Sequence, residues 1–238
     1  MYTFGPIAAF IDVLSTVLAV LTDLLTPLTG TLLAAGAAVI ALTVIVRTLL
    51  LPLGVAQVRA EKQRALLAPK LAKVMERHKG NPERLLAAQR EVYAEAGTGP
   101  LAGCLPGLAQ IPIVIALYGL FIGAVPGTGE LLSQTFLGVE LGATLAGGAS
   151  GNVTVFVAVL AVLAVVAWAN RRYVMLPMAE GTPGAAPPMF GALSYLQFTT
   201  VVVAAFVPLA AGLYLCASTA WALGEKLVLR RVVPTPGG

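Results

Sequence analysis

The sequence predicts an all-α integral membrane protein, a five-span helical bundle with an N-terminal amphipathic surface helix and a cytoplasmic antiparallel helical hairpin. Three observations carry that expectation. The 238 residues are 58% hydrophobic and only 11% charged, with a mean hydropathy of +0.89, whereas a soluble domain carries about 25% charged residues. Several stretches reach or approach the roughly 20 apolar residues that a helix needs to cross a bilayer. The charges are gathered into a few blocks, the largest of them at residues 57–97. Residues 1–238 therefore read as one compact membrane domain.

In residues 4–25 and the Thr26 that follows, Asp12, Thr16, Ala19, Asp23 and Thr26 recur at three- and four-residue steps, while Ile7, Phe10, Ile11, Leu14, Leu18 and Leu21 occupy the other side. That spacing predicts an amphipathic helix. Two carboxylates on its polar face favour a place along the outer membrane surface over a crossing. No basic residue precedes Arg47, so the charged start of a secretory signal peptide is missing and the first residues are expected to remain in the mature protein.

The first span covers residues 28–53 and closes with Pro52 and Gly54. Residues 57–97 follow, with Arg59, Lys62, Arg64, Lys70, Lys73, Arg77, Lys79, Arg84 and Arg90 against Glu61, Glu76, Glu83, Glu91 and Glu95. Gly80-Asn81-Pro82 marks a turn, with Pro82 suited to open a helix. Apolar positions on each side of it predict two antiparallel arms standing in water. The basic excess suits anionic headgroups, ribosomal RNA or a partner helix, and composition does not choose among them.

A second span, residues 100–125, contains Pro106 and Pro112. The loop at 126–151 holds Glu130 and Glu140 without one Lys or Arg. The third span, 153–169, is almost purely Val, Ala and Leu, and it runs into Asn170-Arg171-Arg172 and a Pro/Gly-rich loop, 170–188. A fourth span covers 189–206, Pro208 interrupts, and a fifth covers 209–223. The tail, 224–238, carries Lys226, Arg230 and Arg231. Apart from Arg47, every basic residue falls in segments that five alternating crossings put on one side. The positive-inside rule then sets the N-terminus outside and the C-terminus in the cytoplasm.

Arg47 is the sole charge between Leu32 and Leu53. A guanidinium cannot shed its proton to escape the bilayer, so the rest of the structure must account for it. It lies about 9 Å inside the cytoplasmic end of its helix at 1.5 Å per residue, close enough for its stem to carry the charge to the headgroups. It also shares a stripe with Gly36, Thr43 and Gly54, all within about 40° on a helical wheel, and such a stripe suits the inside of a bundle. Gly103, Gly107 and Gln110 share a face of the second span, Ser194, Gln197 and Thr200 of the fourth, and Tyr214, Ser218, Trp221 and Glu225 of the fifth. Each of these stripes is equally what close helix packing or an interfacial aromatic belt produces. Taken together they leave an intramembrane cation without an intramembrane anion, open to a visiting group in a hydrated groove. Cys104, Cys216 and the single His78 have no metal-ligand spacing, and no cofactor is expected.

Residues 93–120, YAEAGTGPLAGCLPGLAQIPIVIALYGL, resemble the most characteristic segment of the YidC/Oxa/Alb membrane protein insertases, with matches at Pro100, Gly103, Cys104, Pro106, Gln110, Pro112, Leu117 and Tyr118. Residues 43–53, TVIVRTLLLPL, are similar to the segment that carries that family's groove arginine, which falls on Arg47. Gln57 and Pro69-Lys70-Leu71 fit its hairpin, and Phe136-Leu137 and Leu141 its outer loop. The chain departs from the pattern at Gly99 and Leu215, where the family has Asn and an aromatic residue, and Asn170 stands where it has Gln. Only Arg230 and Arg231 remain where some relatives carry a long basic tail.

The resemblance implies a membrane protein insertase and chaperone, resident in the bacterial plasma membrane, that moves nascent membrane proteins from the cytoplasm into the lipid bilayer through a hydrated groove, without covalent chemistry. Arg47, Thr43, Gln110, Asn170, Tyr214 and Ser218 would line that groove, and a mobile hairpin would receive the substrate. The ribosome and the Sec translocon are candidate partners, with no specific nucleic-acid sequence recognised. An anion or small-solute transporter would also use an intramembrane arginine, but no internal repeat or pair of broken helices is legible. An intramembrane protease would need a placed nucleophile and base, and neither H-E-x-x-H nor G-x-S-x-G occurs.

Overall fold

The computed structural model describes residues 5–97, 111–122, 129–147, 153–176 and 195–234. They are mostly helical and divide into two units, one of Met1–Leu50, Ile111–Ala169 and Leu196–Leu223, the other of Leu51–Gln110, Asn170–Tyr195 and Gly224–Gly238. Helix α1, Gly5–Thr29, is followed after Gly30 by α2, Thr31–Leu49. Gly30 has φ +75, a left-handed conformation that glycine adopts without steric cost, and it separates the two helices with a single residue.

Helix α1 presents three faces rather than two. Ile11, Leu14, Leu18 and Thr22 are buried, packed toward α2 and α5, Ile111–Phe121. Asp12, Thr16 and Asp23 are exposed on a second face. Val13, Val17, Val20, Leu24 and Leu28 are exposed on a third. The amphipathic pattern is therefore more divided than a simple polar and apolar split, and the helix extends beyond the expected end at residue 25. Ala8–Thr29 is also one of three helices, with Thr31–Leu49 and Val153–Met175, that are long and apolar enough among the described residues to cross a membrane.

On α2, Ala34, Ala35, Gly36, Ala38, Val39, Leu42 and Thr43 are buried, while Ile40, Val44, Ile45 and Leu49 are exposed. The small residues face inward because they let neighbours approach closely. A Cβ on Gly36 would collide with the ring of Phe136. Phe136 belongs to a two-stranded ribbon, β1 Thr135–Phe136 and β2 Val139–Glu140, which follows the short helix α6, Gly129–Leu132. The register pairs Phe136 with Val139, leaving Leu137 and Gly138 as a two-residue turn, both with positive φ, 53 and 80. That is the conformation that matches strand twist in tight hairpins. The Leu137 amide donates to the Leu32 carbonyl at 3.0 Å, tying the ribbon to the start of α2.

Helix α7, Val153–Asn170, buries Val155, Phe156, Leu163 and Ala167. A short helix α8, Thr199–Ala204, precedes the long α9, Leu209–Val232. The amides of Leu209 and Ala210 donate to the carbonyls of Ala143 and Leu141, each at 2.9 Å. The segment 129–147 thus supplies acceptors to two of the amides that a helix start leaves unpaired. The core gathers Ile11, Leu14 and Leu18 with Val39, Leu42, Leu117, Leu120, Phe121, Leu141, Phe156, Leu209 and Tyr214. It is apolar, and it extends along α2 from Ala35 to Leu42 and along the start of α9 from Leu209 to Tyr214.

In the second unit α3 runs over Leu51–Arg77 and α4 over Pro82–Glu95. The turn lies at the Gly-Asn-Pro signal. Asn81 caps α4, its side-chain oxygen accepting from the Arg84 amide at 3.1 Å, and Pro82 follows where its missing N–H costs nothing. Beyond α7 the chain continues as a π-helical turn, Arg171–Met175. Helix α9 passes the expected end of the fifth span at residue 223 and continues to Val232, since no Pro or Gly follows Gly224 until Pro234.

Candidate functional site

Two helices of the first unit position the site. Thr43 and Arg47 stand four residues apart on the inward stripe of α2, and Tyr214 and Ser218 stand four apart on α9, so each pair shares a helix face. Arg47 donates to the Ser218 hydroxyl from Nε at 3.1 Å and also from Nη2. Ser218 is 4% exposed, and Arg47 is half-buried. The guanidinium is directed at α9 even though its stem is long enough to reach outward. Among the described side chains its hydrogen-bond partner is this neutral hydroxyl, whereas Glu61 and Glu95 are engaged by Lys226, Arg230 and Lys70.

A serine hydroxyl supplies a dipole and no charge. Two donated hydrogen bonds orient the guanidinium and partly replace lost water, but they leave its full positive charge in place. A half-buried charge that keeps a neutral partner remains strongly attractive to an anion, because low dielectric magnifies the interaction. The arrangement can bind and stabilise a polar or acidic group. An always-protonated guanidinium cannot act as a general base for the Ser218 hydroxyl, so the pair by itself offers binding rather than activation of a nucleophile.

Thr43 is 1% exposed, and its hydroxyl donates to the Val39 carbonyl of its own helix at 2.7 Å. Its proton is thus committed, leaving its oxygen only as an acceptor. Tyr214 is buried, with its ring 5.8 Å from that of Phe121 and tilted by 37°. It closes the apolar core on the side next to Ser218. The Cys216 thiol, on the same helix, donates to the Val159 carbonyl at 3.4 Å, and Val159 also lies in van der Waals contact range of the position a Cβ on Gly212 would take. These contacts hold α7 against α9.

Of the six residues expected to line a groove, the structure joins Arg47 to Ser218 directly and sets Thr43 and Tyr214 one helical turn nearer the apolar core. Asn170, half-buried at the end of α7, belongs to the second unit. Gln110 lies outside the described residues, as do Cys104 and most of the proline- and glycine-rich part of residues 93–120. Sequence reasoning missed Phe121, which packs beside Tyr214, and it named Phe136 only through the family resemblance, without its place over Gly36. The signal for that contact was Gly36 itself, whose missing side chain leaves room for a ring 100 residues away.

A family model described as 60Kd inner membrane protein matches residues 26–235. The chain is 27% identical to the membrane protein insertase YidC of Streptomyces avermitilis over 224 aligned residues, covering 85% of this chain and 52% of that protein. It is 39% identical over 96 residues to the protein of the same name from Clostridium perfringens, covering 40% of this chain and 39% of the relative. It is 47% identical over 83 residues to the inner membrane protein PPF-1, chloroplastic, of Pisum sativum, covering 35% and 19%. The chain thus spans about half or less of the length of these relatives. With a family model that extends from the end of α1 past the end of α9, the chain belongs to the 60Kd inner membrane protein family, the family of YidC and Oxa.

Proposed function

We propose that this chain is a membrane protein insertase and chaperone, and that Arg47 is a transient host for the polar end of an incoming segment. The observation that carries the reading is the pairing of an intramembrane guanidinium with a neutral hydroxyl, Ser218, beside an apolar core. Both relatives cited from bacteria bear the name membrane protein insertase. A hydrophobic substrate helix would slide along the lipid-facing side of the bundle while its flanking tail visits Arg47. Transfer of the apolar part into lipid supplies the driving force, and the polar site shortens the dry path that the tail must take. Gln110, Asn170, Thr43 and Tyr214 would complete the lining of that groove.

The proposed topology has five spans, the N-terminus outside, and the hairpin and C-terminus in the cytoplasm of a bacterium, in accord with the segregation of Lys and Arg. The hairpin would meet substrate first, with the ribosome and the Sec translocon as partners upstream. Helix α1 would lie along the outer surface. Its three faces match the three environments such a helix touches: protein, lipid and water.

The test is insertion of a single-span substrate with an acidic N-terminal tail into vesicles containing the purified chain. Arg47→Ala is expected to slow insertion of the acidic tail several-fold more than that of the same tail with Asp changed to Asn, and Arg47→Lys to retain part of the difference. Equal effects on both tails would remove the electrostatic role of Arg47. Failure of the unaltered chain to insert any substrate would remove the insertase reading itself.

A further inference from the structure

The end of α9 grips the start of α3 along two turns of each helix. Lys62 donates from Nζ to the carbonyls of Arg230 and Val233 at 3.0 and 2.5 Å, satisfying acceptors that a helix C-terminus leaves unpaired. Glu61, next to it, accepts from Arg230 Nη2 at 3.0 Å and lies 3.6 Å from Lys226 Nζ. One turn earlier on α3, Val58 is buried with Leu229 and Val233, and Val55 packs against them. A further turn back, the Glu225 carboxylate occupies the space above Gly54 that a side chain would fill. Residues 54, 58, 61 and 62 share one face of α3, and 225, 226, 229, 230 and 233 share one of α9. Apolar contact, ion pairing and a C-terminal cap coincide on one seam.

Past Lys62 the seam ends, because α9 stops at Val232, while α3 continues to Arg77 with α4 packed beside it. These distal arms have a thin core. Leu67 is the last buried residue of α3, and α4 has none. The ion pair between the arms, Lys70 with Glu95 at 3.8 Å, has side chains 64% and 63% exposed, so water screens it. Pro69 lies in the interior of α3, where it removes the hydrogen bond to the Ala65 carbonyl and crowds the preceding turn.

We propose that the tail of α9 is a splint for the base of the hairpin, and that the hairpin bends at Pro69, with its base from Gly54 to Lys62 held fixed. The tail's basic residues Lys226 and Arg230 are engaged by Glu61 and serve this internal joint. The device divides the hairpin into a fixed stem and a movable tip, and it stands whether or not the chain is an insertase.

Hydrogen–deuterium exchange of the full chain in lipid nanodiscs tests it. Amides of residues 54–62 and 225–232 are expected to exchange on the order of a hundredfold more slowly than those of 70–95, as expected when opening free energies differ along one structure. Glu61→Lys should speed exchange on both sides of the seam, about tenfold. The triple exchange of Glu61→Lys with Lys226→Glu and Arg230→Glu should restore protection. Lys62→Met, which keeps the stem and removes the cap, serves if the charge reversal prevents folding, and should speed exchange at 229–232. Pro69→Ala should slow exchange around residues 65–73. Equal exchange of base and tip, or a seam indifferent to both Glu61→Lys and Lys62→Met, would overturn the splint; an unchanged tip in Pro69→Ala would overturn the hinge.

Discussion

The Ser218 hydroxyl accepts from the Arg47 guanidinium at two of its nitrogens, Nε and Nη2, and it is the polar partner that Arg47 has among the described side chains. Removing it with Ser218→Ala is expected to cost about 1.5–3 kcal/mol, the range for a hydrogen bond to a charged group. The guanidinium would then be free to turn outward. A lowered thermal midpoint, together with faster modification of Arg47 by an arginine-specific dicarbonyl, would check both effects.

Ser218→Asp asks a different question of the same pair. A carboxylate at this position would give Arg47 the resident anion it lacks. On the proposed insertase reading, the expected outcome is a chain that keeps its thermal stability but inserts acidic-tailed substrates more slowly, with neutral-tailed substrates less affected. Vesicle insertion of the two substrates side by side measures it. Undiminished insertion of the acidic tail would show that the positive charge is not what the substrate meets.

Among the described glycines of the first unit, Gly36 is the one whose added Cβ would come nearest a neighbour, the ring of Phe136. Because a Cβ at Gly36 would meet a ring rather than a flexible chain end, Gly36→Ala should displace the ribbon at Thr135–Glu140 at a cost of about 1–3 kcal/mol, typical of overpacking. Phe136→Leu in the same chain should recover part of the loss. The non-additivity of the two thermal shifts is the measurement.

Leu137 adopts φ 53 in the ribbon turn, where a branched side chain is disfavoured and asparagine is tolerated. Leu137→Asn should raise stability by about 0.5–1 kcal/mol, and Gly138→Val should lower it by about 1–2 kcal/mol. Thermal midpoints in detergent are expected to move in opposite directions for the two variants.

Helix α1 allows a topological check. Single cysteines in a background without Cys104 and Cys216 are expected to react with a membrane-impermeant maleimide added outside when placed at Asp12, Thr16 or Asp23. Those at Val13, Val20 or Leu24 should be protected by lipid. Labelling that varies with depth along the helix, with residues near one end reactive on all faces and those at the centre protected on all, would mean that α1 crosses the membrane.

Local chemistry determines much of this protein before it folds. The apolar runs specify helices because a bilayer leaves backbone groups no other partner, and Gly80-Asn81-Pro82 specifies the hairpin turn through the cap and the proline. The stripe of Gly36, Thr43 and Arg47 was legible because a helix repeats every 3.6 residues whatever surrounds it. Pattern alone also carried the family, through a motif-dense segment much of which lies outside the described residues. Tertiary structure decided what periodicity cannot encode, namely which face meets which. Arg47 and Ser218 are 171 positions apart, and no local signal distinguishes a guanidinium that snorkels from one that turns to a hydroxyl on another helix. The ribbon at Thr135–Glu140 was unreadable because its turn relies on leucine in a conformation leucine disfavors, held by the Leu32 carbonyl and by Phe136 over Gly36. The extension of α9 past Leu223 is sustained by Glu61, Lys62 and Val58 of a distant helix, and only folding brings those partners to it.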